Sequence, residues 1–470
     1  MRHLLFFLLL LLTANILKAS KIDTAGAEKH FTKKQLEDDV KFLTATIADV
    51  HPHMYHSINQ KQYQRLTDSV INELADGMTG KQAWPLISRL VGALGEGHSS
   101  FNLPGNFATD LKKGGNVLFP VSIREFNGKY FVVKADGSGE DALMPGDNIS
   151  SINGIGAAQL IDDLSRHMGG LKLWRANDVC RNIIPYLDIY NIHGPYHISF
   201  LRGGRSDSVT LKPVSFADYV SYIRAKAGKS TAIPLTRDLS FSYLESGKAY
   251  LSINSLTAKP EIFKYFLDSV FTQLKQTPSA TLIIDLRRNG GGNSALGETL
   301  LNYITDKPFR MQGGVKWKVS QEYKNQLSKG MNAEAVESMA YYMNAENGSV
   351  LESGDSKPQK HAASQLLFKG KVVVLIGPRT FSSANMLANT IQDYNLATLV
   401  GEPSGEPAND YGELITVVLP NTGFSFTTST KQFIRANGNS TDGQPVLPKY
   451  SVYDDPLTPV DEVLEFAKKM

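Results

Sequence analysis

From residue 32 to about residue 95 the apolar positions recur at intervals of three and four. "TKKQLEDDVKFLTATIADVHPHMY" and "KQYQRLTDSVINELADGMTGKQAWPLISRLVGAL" therefore predict amphipathic helices, because 3.6 residues per turn bring such positions onto one face. Thr32 and Thr79 stand where an N-cap hydroxyl belongs, and Pro52 and Pro85 punctuate the helical run. From about residue 117 the period shortens to two. "VLFPVSIREFNGKYFVVKA" reads as two strands joined at Asn127-Gly128, a pair that tolerates the left-handed backbone of a tight hairpin turn. "PGDNISSINGIGAAQLIDDL" adds a turn, a strand, a second turn and an amphipathic helix, and "YHISFLRGGRSDSVTLKPV" closes this β-rich part near residue 214 with another hairpin.

Beyond residue 236 the two periods alternate. "KAYLSINSL" and "ATLIIDLR" predict strands on either side of the helix-like "EIFKYFLDSVFTQLKQ", an order that builds a parallel or mixed sheet. A polar, helix-rich insertion is expected over about 315–365, ahead of the core strand "KVVVLIG". No internal repeat or low-complexity tract interrupts the pattern. The expected fold class is α/β, in the multidomain α+β sense. Its parts are a leader over 1–20, a helical region over 21–112, a β module with a helical insertion over 113–214 and an α/β core over 236–470.

Composition narrows what such a chain does. Its 470 residues carry 49 Lys and Arg against 46 Asp and Glu, and removing Arg2 and Lys18 with the leader leaves 47 against 46. A near-neutral surface without a basic run gives no reason to expect a nucleic acid partner. "MRHLLFFLLLLLTANILKAS" has a basic residue, an apolar stretch and small residues at Ala19 and Ser20, the layout of a secretory leader. The apolar run is short for a bilayer and no cysteine near the cleavage region offers a lipid site. A soluble exported protein, periplasmic or extracellular and without stable membrane insertion after cleavage, is therefore expected. Cys180 is the single cysteine, which rules out an internal disulfide, a cysteine-pair redox mechanism and a cysteine zinc site. In "HPHMYH" Pro52 breaks the helix and His51, His53 and His56 lack the i, i+4 spacing of a helical zinc motif. Neither a metal nor another cofactor is implied.

Two strand-to-helix junctions carry the candidate chemistry. "TLIIDLRRNGGGNS" ends a β-branched strand in three consecutive glycines, Gly290 to Gly292, which let backbone N–H groups turn inward toward a ligand as an oxyanion site requires. "KVVVLIGPRTFSSANMLANTIQDYNLATLVGEP" repeats the logic with Ser382 and Ser383 at the turn, at the carboxyl end of the sheet where open α/β folds place ligands. A serine there needs a base.

These motifs, in this order and spacing, resemble the C-terminal processing (tail-specific) serine peptidases and more closely their tricorn-like relatives. The resemblance spans roughly residues 85–450 and implies a ClpP/crotonase-like catalytic core. It places the nucleophile on Ser382 and an oxyanion-hole amide on Ser383, with partners among Gly290 and Gly291. "PGDNISSINGIGAAQLIDDL" resembles the latter half of a PDZ domain, with Phe119, Pro120 and Val121 of "VLFPVSI" on the strand beside which a peptide would lie. The tail-specific branch places a lysine a few residues after "GEP". Here Pro407 holds that place and the next lysine is Lys431. The tricorn-like branch takes its base from the N-terminal region, and "LGEGHSSF" puts His98 there; neutral imidazole can take the serine proton and return it to the leaving amine. Relatives carry a glutamate before the last strand, where "STDGQPVLPKY" offers Asp442 as orienting acid or as a turn residue before Gly443. Asn385 replaces a glutamate common after the nucleophile turn. The implied function is hydrolysis of polypeptide substrates. The alternatives are a catalytically silent relative that binds peptides or apolar ligands in the same cleft, and a dyad that uses Lys431.

Overall fold

The computed structural model describes residues 29–104, 116–135, 143–219, 238–330, 337–354, 357–360, 364–455, 458 and 460–470. The expected leader lies outside them. The first helices, Lys33–Val50, Gln60–Glu73 and Gly80–Ile87, each open on a reciprocal capping box, Thr32 with Gln35, Asn59 with Gln62 and Thr79 with Gln82. Each box satisfies two backbone or side-chain donors that a helix start leaves unpaired. Pro85 lies inside the third helix instead of ending it. Its ring removes one backbone donor, and the helix stops two residues later.

A six-stranded sheet forms the core. Its order is Leu239–Tyr243, Ala249–Ile253, Thr281–Asp285, Lys371–Ile376, Thr398–Gly401 and Tyr450–Ser451, with the first pair antiparallel and the rest parallel. Helices cover both faces, so the inner strands are continuous apolar runs. Leu282, Ile284, Val372 and Val374 pack under the helices Pro260–Gln276, Ser294–Ile304 and Ser383–Asp393, while Ile283, Val373 and Leu375 face Val463 and Ala467 of Glu462–Lys468. The α/β expectation holds. Parallel pairing of Asp285 with Leu375 brings the two glycine- and serine-bearing junctions to one rim.

A second sheet joins the chain's ends. It runs Val350–Gly354, Gly314–Lys318, Ser425–Ile434, Asp410–Val418, and Ser100–Phe101 adds to Ser425–Ile434. The insertion expected to be helical thus contributes two strands to this sheet. Trp317, Tyr323 and Tyr342 of that insertion are buried with Leu43, Ile47, Trp84 and Phe426 in one apolar cluster, so its aromatic residues, not its polar majority, decide where it packs.

The β module orders its strands Arg205–Leu211, Tyr196–Arg202, Asn148–Ile152, Lys129–Ala135 and Val121–Phe126. Its first hairpin turns at Asn127 and Gly128 with φ of 51° and 75°, as the sequence predicts. Phe119, Pro120 and Val121 do not line an open groove: all three are buried, and Phe119 stands edge-on to Tyr196 at 4.9 Å inside the module. The module's own inserted helix, Lys172–Arg181, packs along Val121–Phe126 and against Ala157–Leu164, burying Ala176, Val179 and Cys180 in the same cluster as Val121 and Ile123. The place that strand addition requires is therefore taken by this helix.

Asp39 fastens the N-terminal helix to the turn before Ser425. It is fully buried and accepts from Asn421 N–H at 2.9 Å, Asn421 Nδ2 at 3.0 Å, Thr422 N–H at 2.9 Å and Thr422 Oγ1 at 2.6 Å. Asp39→Ala leaves these donors buried and unpaired, and is expected to lower stability by about 3 kcal/mol; chemical denaturation of the purified variant measures it.

Candidate active site

Ser382 sits on the turn between Lys371–Ile376 and Ser383–Asp393 with φ 54° and ψ −129°, a region that a side-chain-bearing residue enters only when its surroundings impose it. Those surroundings are explicit. Thr380 Oγ1 donates to Leu286 O at 2.9 Å and accepts from Gly377 N–H at 3.0 Å, and Phe381 N–H donates to Asn289 O at 3.0 Å. Glu406 Oε1 accepts the Ser382 N–H. The two adjacent serines are thereby separated in role. Ser383 Oγ donates to Gly292 O at 2.6 Å, whereas Ser382 Oγ lies 3.0 Å from His98 Nε2.

His98 reaches this rim because the segment around it is tied down on several sides. Glu96 Oε2 accepts the His98 N–H at 2.6 Å, Thr427 Oγ1 donates to His98 O at 2.8 Å, and Ser100–Phe101 pairs with Phe426 and Thr427. Its ring lies 4.8 Å from that of Phe381, which stacks at 4.2 Å and 14° on Trp174 of the module's inserted helix. Gly97, Gly170 and Gly405 make room for this stack. A Cβ on Gly97 would come within 2.6 Å of Phe381, one on Gly170 within 3.0 Å of Trp174 and one on Gly405 within 3.2 Å of Trp174.

The far nitrogen, His98 Nδ1, is buried without a hydrogen bond, 3.5 Å from Glu406 Oε2 and 3.9 Å from Glu96 Oε2. Burial holds the imidazole's pKa below its ordinary value, although Glu96 pulls the other way. The ring is therefore neutral near pH 7, and a proton on Nδ1 leaves the Nε2 lone pair for Ser382. The two carboxyls differ. Burial alone would raise Glu96, but His51 and His98 and the Ser99 hydroxyl bring it down to about 2. Burial raises both Glu406 and Asp410 well above the carboxylate range, and each is raised further by a neighbouring acid, Glu406 by Asp410 and Asp410 by Glu96. Such a pair retains a proton that separate carboxylates would lose. Glu406 has the Ser382 N–H to stabilise its anion, while Asp410 and its neighbour Asn385 each keep a buried oxygen without a donor. A proton resting on Asp410 would supply one.

Ser383 N–H is the first of its helix and has no intrahelical acceptor. Gly290 is exposed and its N–H has no partner among the described residues. Gly291 N–H is occupied, donating to Asn289 Oδ1 at 2.9 Å. Gly291 serves by being small: with φ 99°, a Cβ there would meet Ser382 Cβ at 2.6 Å.

Asp442 is not brought to His98. Its carboxylate pairs with Arg435 and accepts Gln444 N–H at 2.9 Å, as a turn residue does. Lys431 is committed elsewhere, with its ammonium 3.9 Å above the Trp317 ring and 3.6 Å from Glu413. Sequence reasoning overlooked Glu96 and Glu406. The signals were the acid two positions before His98 in "GEGH" and the second "GEP" in "GEPSGEP".

A buried imidazole within reach of a hydroxyl on a strained turn, beside open amides at the edge of a parallel sheet, is an arrangement that serine-type peptidases use. Residues 248–452 match the family model of peptidase family S41. No curated protein matches the chain. Among solved structures it is similar in fold to mature CPAF, with TM-score 0.63 and 15% identity over 93% of this chain and 97% of that one. Mature CPAF complexed with lactacystin gives TM-score 0.59 and 15% identity over 89% and 94%.

The glycine loop makes a stability prediction. Gly291→Ala forces backbone and nucleophile apart and is expected to cost about 2 kcal/mol or more. Gly290→Ala, where an added Cβ meets nothing within 4 Å, changes stability by less than about 0.5 kcal/mol; paired thermal melts check the contrast.

Proposed function

We propose that the chain is an exported serine peptidase that hydrolyses peptide bonds of polypeptide substrates, with Ser382 as nucleophile and His98 as general base. The observation that carries this reading is the 3.0 Å approach of Ser382 Oγ to the Nε2 of a buried, neutral imidazole. His98 takes the hydroxyl proton as Oγ bonds to the scissile carbonyl carbon. The developing oxyanion is met by the N–H groups of Ser383 and Gly290, and removing one such donor costs turnover about a hundredfold or more in comparable sites. The imidazolium then hands its proton to the leaving amine. Water attacks the acyl-enzyme by the same route, with His98 again as base, and releases the carboxylic acid.

Glu406 acts as a positioning residue. One carboxylate oxygen holds the nucleophile's own N–H and the other faces Nδ1, so a single side chain couples the serine turn to the tautomer of its base. The gap of 3.5 Å shortens when Nδ1 and Nε2 both carry protons, because the opposite charges attract. Export follows from the leader-like residues 1–20. No helix among the described residues is long and apolar enough to cross a membrane.

A serine-directed fluorophosphonate probe tests the nucleophile. Labelling is expected for the wild type and for Lys431→Ala, and is lost in Ser382→Ala and His98→Ala. A folded wild type that takes no label returns the chain to the binder of peptides or apolar ligands.

The pH profile tests the base and its support. Catalysis needs neutral His98, and burial lowers its pKa from 6.5, so the acid limb of kcat/KM is expected below pH 6.5. Glu406→Gln keeps an acceptor for Ser382 N–H but removes the carboxyl that faces Nδ1. It is expected to cut kcat about a hundredfold with KM changed less than about threefold. Asp442→Asn, at the Arg435 turn, leaves that limb in place.

A further inference from the structure

Glu96 lies between two imidazoles. Its Oε2 accepts the His98 N–H at 2.6 Å and stands 3.9 Å from His98 Nδ1, while its Oε1 stands 3.6 Å from His51 Nε2. His51 caps the first helix, its N–H donating to Ile47 O at 2.9 Å. The His51 ring is buried, with the His56 ring parallel to it at 5.8 Å and the Tyr411 ring at 5.2 Å. Its Nδ1 accepts the His53 N–H at 3.1 Å. A backbone amide can only donate, so the proton of the neutral ring lies on Nε2. That nitrogen has no hydrogen bond among the described residues, being close enough to Glu96 to attract the carboxylate and too far to bond it.

Glu96 is buried, and its Oε1 also accepts the Ser99 and Ser429 hydroxyls, the second at 3.0 Å. Burial by itself would raise this carboxyl, and His51, followed by His98 and Ser99, brings it down to about 2. The charge of Glu96 adds to the burial that raises Glu406, Asp410 and Tyr411. Of the three buried acids near the base, Glu96 is therefore the one whose charge its neighbours favour. The segments that carry the pair are seated on each other, since a Cβ on Gly95 would collide with the Ser57 side chain. Packing alone does not account for His51: an apolar ring would fill the same space with no polar atom to bury.

We propose that His51 is a positioning residue for His98 that acts through Glu96: its Nε2–H, aimed by the His53 backbone, holds the carboxylate beside Nδ1 while His98 takes the Ser382 proton. No proton passes along this row. His98 gains one on Nε2 and keeps the one on Nδ1, Glu96 supplies the negative charge, and His51 keeps its own proton throughout. A neutral donor suits the place better than a cation, since a lysine or arginine there would neutralise Glu96 and leave less charge for the imidazolium. The inference rests on the serine peptidase reading for the role of His98 as base.

Two substitutions in the full chain separate holding from filling. His51→Gln keeps an N–H donor near the place of Nε2 and loses the ring, whereas His51→Phe keeps a ring and loses the donor. His51→Phe is expected to lower kcat at least about tenfold, the size of one lost hydrogen-bonding partner of a buried charge, with KM changed less than about threefold, and His51→Gln to stay within about threefold of the wild type. On a Glu96→Gln background His51→Phe is expected to change kcat by less than about twofold. The reverse ranking of Phe and Gln, or an undiminished effect on that background, overturns the proposal. Isotope-edited histidine NMR reads the same row without turnover. Burial lowers the His98 pKa and Glu96 raises it, so the His98 titration midpoint is expected at lower pH in His51→Phe and unmoved in His51→Gln; a midpoint that stays or rises in His51→Phe overturns the proposal. If His51→Phe does not fold, the wild type and His51→Gln decide: the neutral His51 ring is expected to carry its proton on Nε2, and a proton on Nδ1, or a loss in His51→Gln of more than about tenfold, overturns it. The expected midpoints in a chain that cleaves no peptide uphold the hold of His51 on the imidazole and fail the peptidase reading alone.

Discussion

One contact governs the architecture: a neutral imidazole 3.0 Å from a hydroxyl that follows it by 284 residues. Nothing local brings them together. The histidine follows the N-terminal helices, the serine sits on the turn after a central strand, and the sheet that carries Ser100 and Phe101 closes the gap by pairing them with Phe426 and Thr427. That sheet is itself fastened to the first helix through buried Asp39. The N-terminal helices thus take part in placing the imidazole, since the segment that carries it is held between them and this sheet.

Electrostatics sets what the contact can do. An isolated buried imidazole would resist protonation too strongly to accept a proton from serine in the transition state. Glu96, ionised between His51 and His98, offsets part of that resistance, while burial and Asp410 raise the Glu406 carboxyl well above its ordinary range. Neither touches Nδ1 at hydrogen-bond distance in the resting arrangement, so the ring stays neutral until it gains its proton. The same Glu406 anchors the strained backbone of Ser382 and faces Nδ1 of the imidazole, so one side chain touches both halves of the contact.

The parts of this arrangement that were legible in the sequence are those set by local pattern or backbone need. Apolar periodicity marked the capped helices and central strands, and three glycines after "IIDLRRN" marked the close approach now seen at Gly291. Ser382 and His98 were legible only because a family resemblance tied two remote motifs together. What stayed hidden depends on distance in space. Asp442 and Glu406 are both acids near turns in the last third of the chain, and no periodicity tells which one Arg435 will claim and which will face an imidazole. The strands of the 315–365 insertion were masked by its polar composition, since Trp317 and Tyr342 pack on helices more than 200 residues earlier. Likewise Phe119 and Val121 lie on the predicted strand, but which neighbour covers that strand was written in "LKLWRANDVCR", where an amphipathic helix leaves its partner unspecified.

That inserted helix changes how the module relates to the core. A strand edge left open would bind a peptide at a distance from the chemistry; an edge filled by Lys172–Arg181 turns the module into a wall of the cleft. The helix presents Trp174 to the Phe381 ring that packs on His98, and Arg181 to a cavity beyond. Three glycines admit the aromatic stack with no space to spare, so a shift of the helix cannot be absorbed by slack and must pass to the base. The module and the core thus meet at one aromatic pair, Trp174 and Phe381, and the position of the imidazole depends on both through direct packing.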